Sequence, residues 1–307
     1  MNTRPRAVRR RLGIGVLIAA LAMAAGWLVA PSAAVAHPGP PSAVFDPFSV
    51  SWRSLRDYSP AAFDVAVADA EDDNLIPVDI DADAGGASYV LGAVFQRNLD
   101  GRDWRLRHGL TNDQYEDAWS DAASDGFRLV DFETYVLAGT RFYNGLWVEN
   151  VEGYAWLSQR NMTAAQWAAF RAAQHAAGRM VVDVDHYAFG AGFRYAAVAV
   201  ANPENLAWEV EYDQSLATFN ATVAAYYDDL FRLLVVDSVQ TPDGQRFTGI
   251  FVRNVNGRSA PAHGQLTSAG FHDVWEDYAE DGLRPINQER YETAAGTRYL
   301  GVWRQND

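Results

Sequence analysis

The chain has 307 residues, no cysteine and no lysine, with 25 arginines set against 39 acids for a formal charge of −14. An apolar fraction of 49 % is enough for an ordinary hydrophobic core without disulfides. The acidic balance repels phosphate backbones and anionic lipids, which argues against nucleic acid or a membrane surface as partner.

Residues 1–36 read as an export peptide. Met1 to Arg11 carries five arginines and no acid, Leu12 to Val29 is apolar, and Ala34-Val35-Ala36 supplies small residues for cleavage. An uncleaved signal anchor is the rival, since the apolar run is nearly long enough to span a bilayer, but Pro31 and the Ala-Val-Ala signal favour cleavage. Arg9-Arg10-Arg11 also permits a twin-arginine route. The expectation is a secreted or extracytoplasmic protein that starts at His37, has a net charge of −19 and has no membrane segment. Residues 37–47 are proline-rich and without periodicity, an extended arm.

From residue 48 a shift of 52 superposes the chain on itself, giving five units near 48–99, 100–151, 152–203, 204–255 and 256–307. Trp52, Trp104, Trp156 and Trp208 form one column, broken at Ala260. Phe63, Tyr115, Trp167, Phe219 and Phe271 form another, and Asn98, Asn150, Asn202, Asn254 and Asn306 a third. Within a unit, Thr111 with Gln114 and Thr163 with Gln166 are capping boxes, and Ser59 precedes Pro60 at a first helical position. Leu110 with Tyr115 is a hydrophobic staple, matched by Met162 with Trp167 and Leu266 with Phe271. The helix that follows stops at Gly126, Gly178 and Gly282, tolerably at Asn74, while Leu230 suits that position poorly and predicts a different ending. Two strands follow, the first with Val78, Val130, Val182, Leu234 and Ile286 facing in, joined through Gly139, Gly192, Gly244 or Gly296.

The fold class expected is therefore α+β: five strand-helix-strand-strand repeats. If each tryptophan strand pairs with the last strand of the preceding unit, the array has an unpaired edge at each end. Pairing the segment near Trp52 with that near Trp303 would remove both, which favours a closed, propeller-like ring over an open α/β solenoid.

Leu-Thr at the helix start, then Gly-Phe-Arg-Leu-Val-Asp, then Gly-Thr-Arg-Tyr or its variants and a closing Gly-x-Trp resemble the bacterial tandem repeat domain of secreted proteins, also found in the amino-terminal half of the fungal polyglycine hydrolases. The likeness covers roughly residues 48–307 and is clearest in units two, three and five. In those hydrolases a separate serine-hydrolase domain similar to β-lactamases carries the chemistry. That domain has no counterpart here, so the resemblance implies a secreted accessory module.

The familiar catalytic sets are missing from the sequence: no Ser-x-x-Lys is possible without lysine, and there is no Gly-x-Ser-x-Gly, His-Glu-x-x-His or phosphate-binding glycine loop. The sharpest constellation is the column Asp81, Glu133, Asp185, Asp237 and Glu289. On a common axis these carboxylates would need a bound cation or raised pKa values. Alternatively each pairs with an arginine of the next strand, Arg141, Arg194, Arg246 or Arg298. Asp79, Asp81 and Asp83 before Gly85-Gly86 suggest a loose calcium site, although Val90 stands where an EF-hand needs its glutamate, and a solvated strand end is the plainer reading. His37 could chelate copper at a mature terminus; Pro38 and the scatter of His108, His175, His186, His263 and His272 disfavour it. The tryptophans and tyrosines recur with the repeat and so belong to the core rather than to a carbohydrate platform. Asn161 and Asn220 stand in glycosylation sequons, which do not establish a glycosylating host.

The function expected is a secreted, non-catalytic repeat module presenting a binding surface to extracellular peptide or cell-wall glycan. A secreted hydrolase or cation-binding enzyme using the acid column, with calcium or another divalent cation, is one alternative. A self-assembling surface protein is another.

Overall fold

A computed structural model describes residues 50–85, 88–190 and 192–306. The export-peptide, arm and copper readings fall on residues outside these. Five units follow one another with the same order of elements. They are β1 (Trp52–Tyr58), α1 (Pro60–Asp72), β2 (Leu75–Gly85), β3 (Ser88–Arg97); β4 (Trp104–Leu110), α2 (Asn112–Ser124), β5 (Phe127–Leu137), β6 (Thr140–Glu149); β7 (Trp156–Met162), α3 (Ala164–Ala176), β8 (Arg179–Phe189), β9 (Gly192–Ala201); β10 (Trp208–Ser215), α4 (Leu216–Asp228), β11 (Phe231–Thr241), β12 (Gly244–Arg253); and β13 (Ala262–Leu266), α5 (Ser268–Glu280), β14 (Leu283–Thr293), β15 (Gly296–Gln305).

Each unit builds its own antiparallel sheet of three strands with the last strand in the middle, β1-β3-β2 and its four equivalents. This corrects the expected strand partner. The tryptophan strand pairs with the final strand of its own unit, so β15 is flanked by β13 and β14 and no end strand is left bare. The five sheets stay separate and form no barrel.

The helices begin as their sequences dictate. Thr111 and Thr163 complete both halves of a capping box, and Ser215 and Thr267 accept from the third amide of their helices. The aromatic at the fourth helical position is buried in every unit, as Phe63, Tyr115, Trp167, Phe219 and Phe271. Most of the cores run across unit boundaries: Trp167 and Val184 share one with Val210 and Ile250 of the next unit, and Phe63 and Ile80 share one with Leu106 and Tyr135. A single unit could not bury these faces.

All five helices stop at a left-handed residue: Asn74, Gly126, Gly178, Leu230 and Gly282, with φ between 56° and 86°. The different ending expected at Leu230 does not occur. Its carbonyl accepts the Asn254 amide at 2.8 Å, the same bond that Gly126, Gly178 and Gly282 make to their own asparagines, so the repeat holds the residue in place. The leucine side chain is 55 % exposed and contributes little burial in return. A left-handed leucine costs about 1 kcal/mol relative to glycine. Leu230→Gly should therefore raise stability by about 1 kcal/mol, read as a thermal midpoint roughly 2–4 °C higher.

Candidate functional site

The second strand of each unit lies innermost. Each touches its counterpart in the next unit, β2 to β5 to β8 to β11 to β14, and β14 in turn touches β2. A β-bulge interrupts each of these strands at the same place, around Val78, Val130, Val182, Leu234 and Ile286. The extra residue turns these five aliphatic side chains toward one another, and all five line a single cavity of about 380 Å³. Its rim holds Leu99 and Arg97, with Arg102 paired to both Asp100 and Glu152.

Below this collar the strands are joined by side chain to backbone bonds. At the first level Ile80 N donates to Asp131 (2.7 Å), Phe132 N to Asp183 (3.0 Å), Val236 N to Asn287 (3.0 Å) and Gln288 N to Asp79 (3.0 Å). Two residues further along, the pattern repeats. His186 N donates to Asp237 (2.8 Å), Ser238 N and Oγ donate to Glu289, and Arg290 N donates to Asp81. The Thr134 hydroxyl bonds Asp185. Among the described residues no hydrogen bond reaches the half-buried Glu133 carboxylate.

The five predicted acids therefore converge. One oxygen each from Asp81, Glu133 and Glu289 lies within 4.8 Å of the other two, and Asp185, Asp237, Glu289 and Asp81 all bear on Glu133. The expected arginine pairing fails: Arg194 and Arg298 turn to the backbone carbonyls of Phe193 and Thr297, Arg246 approaches Asp213 at 3.8 Å, and Arg141 lies over the Tyr187 ring. The loose calcium site at Asp79, Asp81 and Asp83 is also corrected. Asp79 is held by Asn287 and Gln288, Asp83 by Arg290, and the segment is a buried strand rather than a solvated end. The other acids at the first level, Asp131 and Asp183, escaped the sequence reading although they too recur 52 residues apart.

The remaining candidates have packing roles. His186 is buried and stacked on Tyr195, and His263 meets the Tyr278 hydroxyl at 2.6 Å; burial pushes both down to about 4, so they are neutral. His175 stacks on Trp208. Asn161 takes a left-handed conformation where the register of β7 shifts, and accepts from the Tyr187 hydroxyl. No described helix is long and apolar enough to cross a membrane.

Burial raises Asp79, Asp81, Asp83, Asp131, Glu133, Asp183, Asp185, Asp237 and Glu289, and repulsion from neighbouring carboxylates adds to it at Asp81, Asp183, Asp185, Glu133 and Glu289. Asp131 and Asp237 are pushed up to about 7 by burial, against the hydrogen bonds that favour their charged form. The folded chain thus binds more protons than the unfolded chain between the ordinary value of 3.8 and about 7, so stability is lost as pH rises through that window. In divalent-free buffer the thermal midpoint should fall steadily from about pH 5 to about pH 8, and a flat profile would show that these acids do not titrate in the fold.

A family model described as a polyglycine hydrolase-like structural repeat matches residues 101–150, 205–254 and 259–306. These are units two, four and five, where the sequence reading put the clearest likeness in two, three and five. No curated relative matches the chain.

Proposed function

Because the chain carries the polyglycine hydrolase-like structural repeat, we propose that it is a secreted, non-catalytic binding module whose five units close into a propeller-like ring around the aliphatic collar. The closure is supported by the seam between units five and one, which repeats the other seams. Asn150 accepts from Tyr154 N and donates to its carbonyl, and Asn202 does the same to Leu206. Asn306 makes this pair with Val50, at 2.8 and 2.9 Å. Arg56 lies over Phe271 and Tyr299 of unit five as Arg160 lies over Tyr115 and Tyr143 of unit two.

The observation that carries the binding role is the division of labour among the residues. Those that recur with the repeat are spent on caps, cores and seams, whereas the collar cavity has a rim supplied by units one to three through Arg97, Asp100, Arg102 and Glu152. A half-buried aliphatic funnel edged by Arg97, Asp100, Arg102 and Glu152 suits an aliphatic side chain of an extended extracellular peptide, with its backbone met at the rim. A glycan would call for exposed aromatic faces, and here the aromatics are largely core.

Two measurements test this. In a closed ring Asn306→Ala loses the same two bonds as Asn202→Ala, so the two should cost alike, about 1–3 kcal/mol in urea unfolding; a much smaller loss at Asn306 would indicate an open array. For binding, the immobilised chain should retain aliphatic-rich peptides from a random library. Ile286→Asp should weaken retention at least tenfold, while Val65→Asp on the exposed face of α1 leaves it unchanged. Equal retention by both variants would remove the collar from the site, and cleavage of the retained peptides would make the protein an enzyme.

A further inference from the structure

We propose that the acid ring below the collar is a cation site, in which Asp81, Glu133 and Glu289 each give one oxygen to a single calcium ion, with the Asp185 carboxylate close enough to bear on Glu133. The three oxygens are already gathered within 4.8 Å of one another, a spread that one ion can bridge with ligand distances of about 2.3–2.6 Å. The donor set is all carboxylate oxygen, which selects a hard cation, and His186, next to Asp185 in the chain, is stacked on Tyr195 and is not among the gathered ligand atoms.

A second observation points to a ligand independently of the cluster. Asp185 is only 2 % exposed, and its Oδ2 has no hydrogen-bond partner, although Thr134 favours the charged form of the carboxylate. Among the charged groups bearing on Glu133 it is the strongest. A buried carboxylate oxygen without a donor costs several kcal/mol unless something positive or protic meets it. Glu133, half-buried, also receives no described hydrogen bond at its carboxylate. The donors along the inner strands satisfy Asp237 and Glu289 from the preceding unit, and they run out at Asp185 and Glu133, on the side where Asp81 and Glu289 lean in.

Charge decides the occupant. Two ionised carboxylates about 5 Å apart repel by roughly 3 kcal/mol at an effective dielectric near 20. A divalent ion removes that repulsion and leaves all three ligands ionised. The competing solution is for the acids to share protons, and the two predict opposite responses. The collar cavity above reaches Asp79, Asp131 and Asp183, two residues short of Asp81, Glu133 and Asp185 along their strands. This inference does not rest on what binds at the collar.

The test is calorimetric titration of the chelator-treated full chain with calcium and, separately, with magnesium, together with thermal unfolding. We expect one calcium per chain, weaker magnesium, and a midpoint raised by about 5–8 °C when calcium exceeds its Kd a hundredfold. Glu133→Gln combined with Glu289→Gln should abolish the calcium response and yet melt above the wild type in chelator, because repulsion is gone. Glu133→Gln alone should weaken calcium at least tenfold, and Asp73→Asn, an exposed acid paired with Arg53, should leave it unchanged. Absence of calcium binding by the wild type, tighter magnesium than calcium, or a double variant that still takes up calcium would each overturn the site.

Discussion

The arrangement of the units depends on one interaction: a backbone N–H of an innermost strand donating to the carboxylate or carboxamide of the next unit. Sheets of three strands that do not pair with one another leave their inner edges with amides that must be satisfied away from water. Another strand would satisfy them and merge the sheets into a barrel. Here an aspartate, a glutamate or an asparagine does so one bond at a time, as Asp131 does for Ile80 and Asn287 for Val236. Each sheet keeps its own twist, and the seam between neighbours is set by side chains that the repeat delivers at a fixed position.

That choice explains why so many acids are buried in one place. A side chain that caps an inward-pointing amide must itself lie near the axis, so five copies of it meet. The electrostatic strain is thus a by-product of closing seams with charged acceptors. The sequence has softened it locally, with Val235 and Asn287 standing where three aspartates stand in the other units, and with Thr134 and Ser238 adding hydroxyl donors. Bulges at Val130 and its equivalents place the aliphatic collar above the acids, so the innermost strands present an apolar level and an acidic level beneath it.

The local elements were legible because their causes are local. Thr111 with Gln114 announces a helix start whatever the rest of the chain does, and the buried column of Phe63, Tyr115, Trp167, Phe219 and Phe271 follows from periodicity. Strand partners are a different matter. Nothing in the alternation of β4 distinguishes its own unit's β6 from the strand before it, and the wrong choice led to an edge argument that the observed sheets do not need. The fate of the acids was undetermined for a similar reason, since pairing with Arg141 and convergence on Glu133 use the same spacing and differ only in which way the strand faces. Leu230 shows the limit of reading preferences one residue at a time. The Asn254 amide and the core on either side impose the left-handed turn, and the leucine bears the cost.

The bond pair between Asn306 and Val50 has a consequence for how this chain can be handled as a polymer. Val50 and Asn306 are joined by the same pair of hydrogen bonds that elsewhere links an asparagine to the residue four places on, where consecutive units meet. If the ring proposed above is closed, joining them through a short linker and opening the backbone instead in the turn after Asn150 or Asn202 would give a permuted sequence with its seams retained. For this molecule the order of the units along the chain and their order in space are separable properties.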